Sequence, residues 1–197
     1  MDPHFFDITI ALYKQERAEG PVALVHTYSP KPGASDRIAS VARAMTVLGE
    51  LELVGEGESL VRFPCGTWHE AAAKRTFLEA CKVDPARSVA PRPLTAVDGA
   101  TGQQVSIEPL GSGAYRVLAA DVAEGAASRA PAVASGLAKL AELQASDGNV
   151  VSFPCEQDHN ALIGLLLVRA LNIRAALREE EMSASRGFLA PPSQQKG

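Results

Sequence analysis

The chain has 197 residues, 46% hydrophobic, 21% charged and 5% aromatic, with a formal net charge of −4. That usage is ordinary for a globular protein and enough for one good core or two small fused ones, which excludes wholesale disorder. It lacks the basic excess that neutralises phosphates and the aromatic content that stacks on bases, so no nucleic-acid partner is expected.

Asp2-Pro3 suits a helix start, and Phe5, Ile8 and Leu12 then share one helical face, so the spacing predicts a helix over 3–17. Gly20-Pro21 breaks it, and the β-rich run 22–28 reads as a strand. After the loop 29–33, Ile38, Val41, Met45, Leu48 and Leu51 follow helical spacing, with Ser35 or Asp36 as the expected cap. A turn at 55–57 leads to a short strand, 59–63. Thr67-Trp68-His69-Glu70 then has the form of a capping box opening a helix to about Lys82.

A proline-rich connector over 85–93 separates a first repeat with its N-terminal helix, 1–84, from a second repeat, 94–182. The second half opens with strands at 94–97 and 104–108 around the turn 98–102, and 104–108 is expected to form a hairpin with 115–119. Ala130, Val133, Leu137, Leu140 and Leu143 match the helical positions of the first half at an offset of 92, followed by a strand over 149–153 and a long helix over 157–180. The tail 183–197 has no periodicity and is expected to be flexible. Strands joined by a helical crossover are normally parallel. The reading is therefore an α/β fold of internally duplicated strand-helix-strand-helix units, forming a mixed sheet or two small sheets covered by helices.

The apolar stretch 161–177 is interrupted by Arg169, Asn172 and Arg174 and falls short of the ~20 residues of a membrane span. With no secretory leader pattern at the N-terminus, a cytoplasmic location and no membrane partner are expected. Three cysteines in that setting argue for reduced thiols. The run 161–168 is apolar all round, so it is buried centrally or against another subunit, and a homodimer through the helix after Asp158 is one expectation.

The most informative pattern is a phrase written twice. Val61, Phe63, Pro64, Cys65, His69 and Ala71 recur as Val151, Phe153, Pro154, Cys155, His159 and Ala161, at a constant offset of 90, and the phrase holds two of three cysteines and two of four histidines. Each copy lies where a strand gives way to a helix. In parallel sheets ligands bind at that edge, and the positive end of a helix favours thiolate and neutral imidazole. If the copies converge, Cys65, His69, Cys155 and His159 form a two-sulfur, two-nitrogen set suited to zinc. A small-molecule site at the same place would add Trp68 and Asp158.

Two other readings compete with metal binding. A thiol enzyme would use one cysteine activated by its own histidine, with Glu70 or Asp158 orienting the ring. In a purely structural reading, each cysteine packs among apolar atoms and each histidine ties down a turn. The phrase matches no catalytic signature that names a reaction. Lys31, Gly33 and Ser35 read as a plain loop, His26 as a sheet-face residue and Cys81 as packing.

Overall fold

The computed structural model describes residues 8–187. Their core is divided between two compact units, one formed by the chain through Trp68 with Ala73–Ala90 and the chain from Arg178, the other by His69–Ala72 and Pro91–Leu177. All strand pairing among the described residues is antiparallel, in one four-stranded and one five-stranded sheet, with five helices. The architecture is mixed α/β with two small sheets.

The first unit begins with a hairpin of β1 (Ala11–Arg17) and β2 (Gly20–His26), in register from Ala11 opposite His26 to Arg17 opposite Gly20. Ala18 and Glu19 form the turn, and Gly20 closes it at φ 109°, which a side chain would resist. This corrects the helix expected over 3–17. Ile8, Ile10 and Leu12 are all buried, a period of two rather than 3.6, and 20–26 supplies the partner strand that makes this alternation decisive. Residues 3–7 lie outside the described residues.

Helix α1 (Ala34–Gly49) starts one residue after Gly33, whose φ of 80° turns the chain into it. The cap expected at Ser35 or Asp36 is therefore misplaced. Both residues lie inside the first turn, where Asp36 instead meets the positive helix end. Val41, Ala42, Met45 and Leu48 bury one face, as their spacing requires. Helix α2 (Glu70–Ala80) follows the short strands β3 (Glu52–Leu53) and β4 (Leu60–Arg62).

The sheet order is β1-β2-β4-β3. Because β4 pairs antiparallel with both β2 and β3, β2 and β3 run parallel to each other with β4 inserted between them. The parallel crossover thus links β2 through α1 to β3 and is split by β4. The expected parallel pairing of 22–28 with 59–63 fails because the two-residue strand β3 adds a reversal that its length hides in the sequence.

The second unit has β5 (Thr95–Val97), β6 (Gln104–Gly111), β7 (Ala114–Ala120), α3 (Ala130–Ala141), β8 (Gln144–Ser146), β9 (Val150–Ser152) and α4 (Asn160–Leu171). The 104–111 and 114–120 strands form the expected hairpin, with an irregularity at Pro109/Gly111. The order β5-β6-β7-β9-β8 again inserts one strand, β9, into a crossover, here β7-α3-β8. Glu50 after α1 and Glu142 after α3 both take the left-handed conformation, at φ 55°. Before α3, no side chain caps the helix. Its start is held instead by buried Asp98, which accepts from Ala100 N–H, Thr101 Oγ1 and the Arg129 guanidinium, while Gln103 bridges Ala127 O and Arg129 N. The Ala100 N–H leads in lowering the Asp98 carboxyl below its ordinary value, and Arg129 assists.

The long helix expected over 157–180 is two helices, α4 and α5 (Ile173–Ser185), bent by 103° at Asn172. Asn172 leaves helical geometry at φ −128°, and its carbonyl accepts from Ala175 and Ala176, restarting the helix in a new direction. The apolar residues of α4 are buried within the chain, apart from exposed Val168 and half-buried Leu171. The tail expected from 183 is still helical through Ser185, and 188–197 lie outside the described residues. No single helix among the described residues is long and apolar enough to cross a membrane.

Gly164 marks the tightest approach in the second unit: a Cβ there would press on the Arg92 carbonyl oxygen and lie 3.2 Å from that of Pro93. Backbone cannot swing aside as a side chain can. Gly164→Ala should reduce stability by roughly 1–3 kcal/mol in urea unfolding. Gly99→Ala, where a Cβ meets nothing within 4 Å, should stay within about 0.5 kcal/mol.

Candidate metal centre

Both copies of the repeated phrase build the same local device. Phe63, buried at the end of β4, starts a turn that Gly66 N–H closes on the Phe63 carbonyl at 3.0 Å; Glu156 N–H closes on Phe153 at 3.1 Å. Proline at the second position presets the turn, and the residue after each cysteine is left-handed, Gly66 at φ 73° and Glu156 at φ 57°. The turn carries each thiol into the same setting. Cys65 Sγ lies 3.6 Å from the Thr67 carbonyl, and Cys155 Sγ lies 3.9 Å from that of Gln157.

Four residues after each cysteine the chain reaches a histidine immediately before a helix, not within its first turn. His159 is the N-cap of α4, and its backbone N–H donates to the buried hydroxyl of Tyr115. His69 directly precedes α2 and is 6% exposed, and His159 is 3% exposed. The Phe153 ring fixes both imidazoles edge-on, with centroids at 5.4 Å from His69 and 4.8 Å from His159. The two imidazoles stand 5.1 Å apart at 74°.

The result is a cluster. One ligand atom from each of Cys65, His69, Cys155 and His159 can be chosen so that all lie within 4.8 Å of one another. Three of these residues belong to the second unit, and Cys65 stands four residues before His69 on the segment leading to it. Cys155 Sγ is 3.2 Å from His159 Nε2. That separation is near the ~3.3–3.8 Å edges of a tetrahedron built on metal–ligand bonds of ~2.0–2.3 Å, and the widest pairs need only about 1 Å of side-chain rotation to match. The cluster could hold a metal ion.

Its electrostatics favour the ligand form of both imidazoles. Burial pushes His69 down to about 4, with the neighbouring His159 adding to the shift. Burial also lowers His159, against the opposing charge of Asp158. Both rings are therefore neutral at pH 7, which is the form that coordinates metal.

Trp68 and Asp158, expected as ligand contacts, are not members of the cluster. The Trp68 ring packs 5.7 Å from Phe63, with its buried Nε1–H lacking a hydrogen-bond partner. Asp158 accepts the Gly113 N–H at 2.8 Å, which ties the β6–β7 turn to the loop before α4. The parallel-sheet edge invoked to locate the site does not exist in two antiparallel sheets; β4 and β9 are interior strands, and the tight turns leaving them position the cysteines. The purely structural reading expected thiols without polar neighbours, and Cys155 has an imidazole at hydrogen-bond distance. Sequence reasoning missed Tyr115, whose signal was an apolar strand position filled by an aromatic with a hydroxyl to satisfy. Cys81 fits the packing role, its thiol pushed up to about 12 by desolvation despite Arg37 and Lys82.

A histidine with a lowered folded-state value binds fewer protons than its unfolded counterpart between the two values. Stability from His69 is thus complete above the ordinary 6.5 and is lost as pH falls toward about 4. In chelator-treated protein, the urea midpoint should fall across that window. His69→Phe should remove part of the slope; a midpoint flat with pH in the parent protein would contradict the neutral, buried assignment.

No family model, curated protein or solved structure matches this chain.

Proposed function

We propose that this protein binds one zinc-class divalent ion through Cys65, His69, Cys155 and His159. The observation that carries the reading is that four ligand atoms of the right chemistry fall within 4.8 Å of one another although the two halves of the set are 90 positions apart in sequence. Thiolate selects soft and borderline metals, and imidazole suits zinc among them. Four protein ligands fill a tetrahedral shell and leave no position for substrate. Such an ion acts by holding the two Phe-Pro-Cys turns rather than by activating water.

The 3.2 Å approach of Cys155 to His159 supports a second reading, a thiol nucleophile with its base. That chemistry develops a positive charge on His159, which burial disfavours. Metal coordination uses the neutral ring and meets no such penalty, so it is preferred.

Purified protein should contain about one equivalent of zinc per chain, and cobalt should replace it with the visible bands of tetrahedral sulfur ligation. Cys155→Ala and His69→Gln should each weaken cobalt binding by roughly 100-fold or more. Trp68, the only tryptophan, adjoins His69 and gives an independent fluorescence readout. A folded, reduced protein with neither zinc nor a cobalt spectrum would overturn the proposal. Under the thiol reading, iodoacetamide would instead alkylate Cys155 selectively at about pH 6, ahead of the other thiols, and zinc would not protect it.

A further inference from the structure

The β1–β2 hairpin carries a second group of capable side chains that shares no residue with the Cys/His cluster. Ala11 pairs with His26 and Tyr13 with Leu24, which makes Tyr13 and His26 diagonal neighbours on one face. Tyr28 follows two residues after β2 and meets both edge to face, at 4.7 Å from His26 and 6.4 Å from Tyr13. With Thr27, Ser29 and Lys31, these rings line a surface pocket of about 390 Å³, within the range of small-molecule sites.

The polar groups of the pocket divide into satisfied and available ones. Thr27 Oγ1 donates to the Thr9 carbonyl and accepts from Ser29 N–H at 3.0 Å, so its hydroxyl is occupied. Tyr13 donates to the Tyr28 oxygen at 2.9 Å, which leaves the Tyr28 proton free to point outward. Ser29 Oγ accepts from Lys31 N–H at 3.3 Å and keeps its own proton. Among the described residues no carboxylate lines the pocket, and Lys31 forms no ion pair. What remains, besides the His26 imidazole, is a set of donors with one positive charge, beside a Tyr28 ring that is 79% exposed.

We propose that this pocket binds a small organic anion, a carboxylate or phosphate carried on a flat ring. Lys31 and the hydroxyls of Ser29 and Tyr28 take the anionic group, and the exposed Tyr28 ring packs against the body. Charge-assisted hydrogen bonds supply specificity for the anion, and ring contact adds apolar burial. Carboxylate and phosphate present the same acceptor chemistry to these donors, and the choice between them is made by the probes.

The test is an amide NMR titration of the full-length, isotope-labelled protein with phenyl phosphate, benzoate, inorganic phosphate and benzyl alcohol. At least one aromatic anion should give saturable shifts confined to the amides around 26–31 and bind more tightly than inorganic phosphate. Benzyl alcohol should produce none. Tighter binding of phenyl phosphate than of benzoate assigns a phosphate ligand, and the reverse order a carboxylate. Lys31→Met should weaken binding about tenfold or more, and Lys31→Arg should keep it within about threefold. Tyr28→Phe, which removes the hydroxyl and keeps the ring, should weaken inorganic phosphate and the aromatic anions alike, and Tyr28→Ala should weaken the aromatic anions further. No saturable shift up to roughly 20 mM, equal binding of benzyl alcohol, or an unchanged Lys31→Met titration would overturn the proposal. Cluster substitutions are not involved, so failure here is separable from failure of the metal assignment.

Discussion

The burial of Phe153 at the end of β9 is the contact on which the candidate centre depends. Its ring is 1% exposed and is met nearly edge-on by Tyr115 at 6.0 Å, His69 at 5.4 Å and His159 at 4.8 Å. Edge-to-face contact is the favoured arrangement for rings and fixes their planes as well as their distances. The imidazoles are therefore oriented by packing before any ion is considered. The same packing strips water from them, lowers their proton affinity and keeps them neutral. Orientation and protonation state thus have one physical cause.

The sheet topology determines where those rings can stand. In each unit a strand is inserted into a split crossover, and that inserted strand, β4 or β9, ends in the Phe-Pro-Cys turn. An interior strand has its backbone paired on both sides, so its end is held more firmly than that of an edge strand. The proline turn converts that firmness into a fixed place for the thiol. Gly113 shows how closely the neighbouring loops fit: a Cβ there would lie 2.9 Å from the Gln157 carbonyl oxygen, just where Asp158 accepts the Gly113 N–H. Asp158 thereby ties down the loop that presents His159.

The first hairpin and the α4–α5 break mark the limits of reading periodicity along a chain. Phe5, Ile8 and Leu12 fit a helix, but Ile8, Ile10 and Leu12 fit a strand equally well, and the presence of a partner at 20–26 decided between them. Apolar spacing runs almost unbroken through Asn172, and only the backbone conformation of that residue shows that one helix ends and another begins. By contrast, the 104–111 and 114–120 hairpin was legible because Gly111-Ser112-Gly113 is a turn signal with a local mechanism. Two- and three-residue strands such as β3 and β8 carry too little pattern to be seen, yet β3 alone reverses the inferred sense of the first sheet.

By itself, the sequence determined what short-range chemistry controls: the two Phe-Pro-Cys turns, the histidine four residues after each cysteine, the amphipathic faces of α1 and α3, and the α/β class. These follow from proline's fixed φ, from side-chain spacing and from local hydrogen bonds between residues close in the chain. Only the tertiary structure decided that Cys65 and His69 meet Cys155 and His159, that the sheets are antiparallel, and that Trp68 and Asp158 stand outside the cluster. Those outcomes depend on pairing and packing between segments tens of residues apart. The lowered proton affinity of His69 belongs with them, because desolvation is a property of the folded environment and is written in no single stretch of chain.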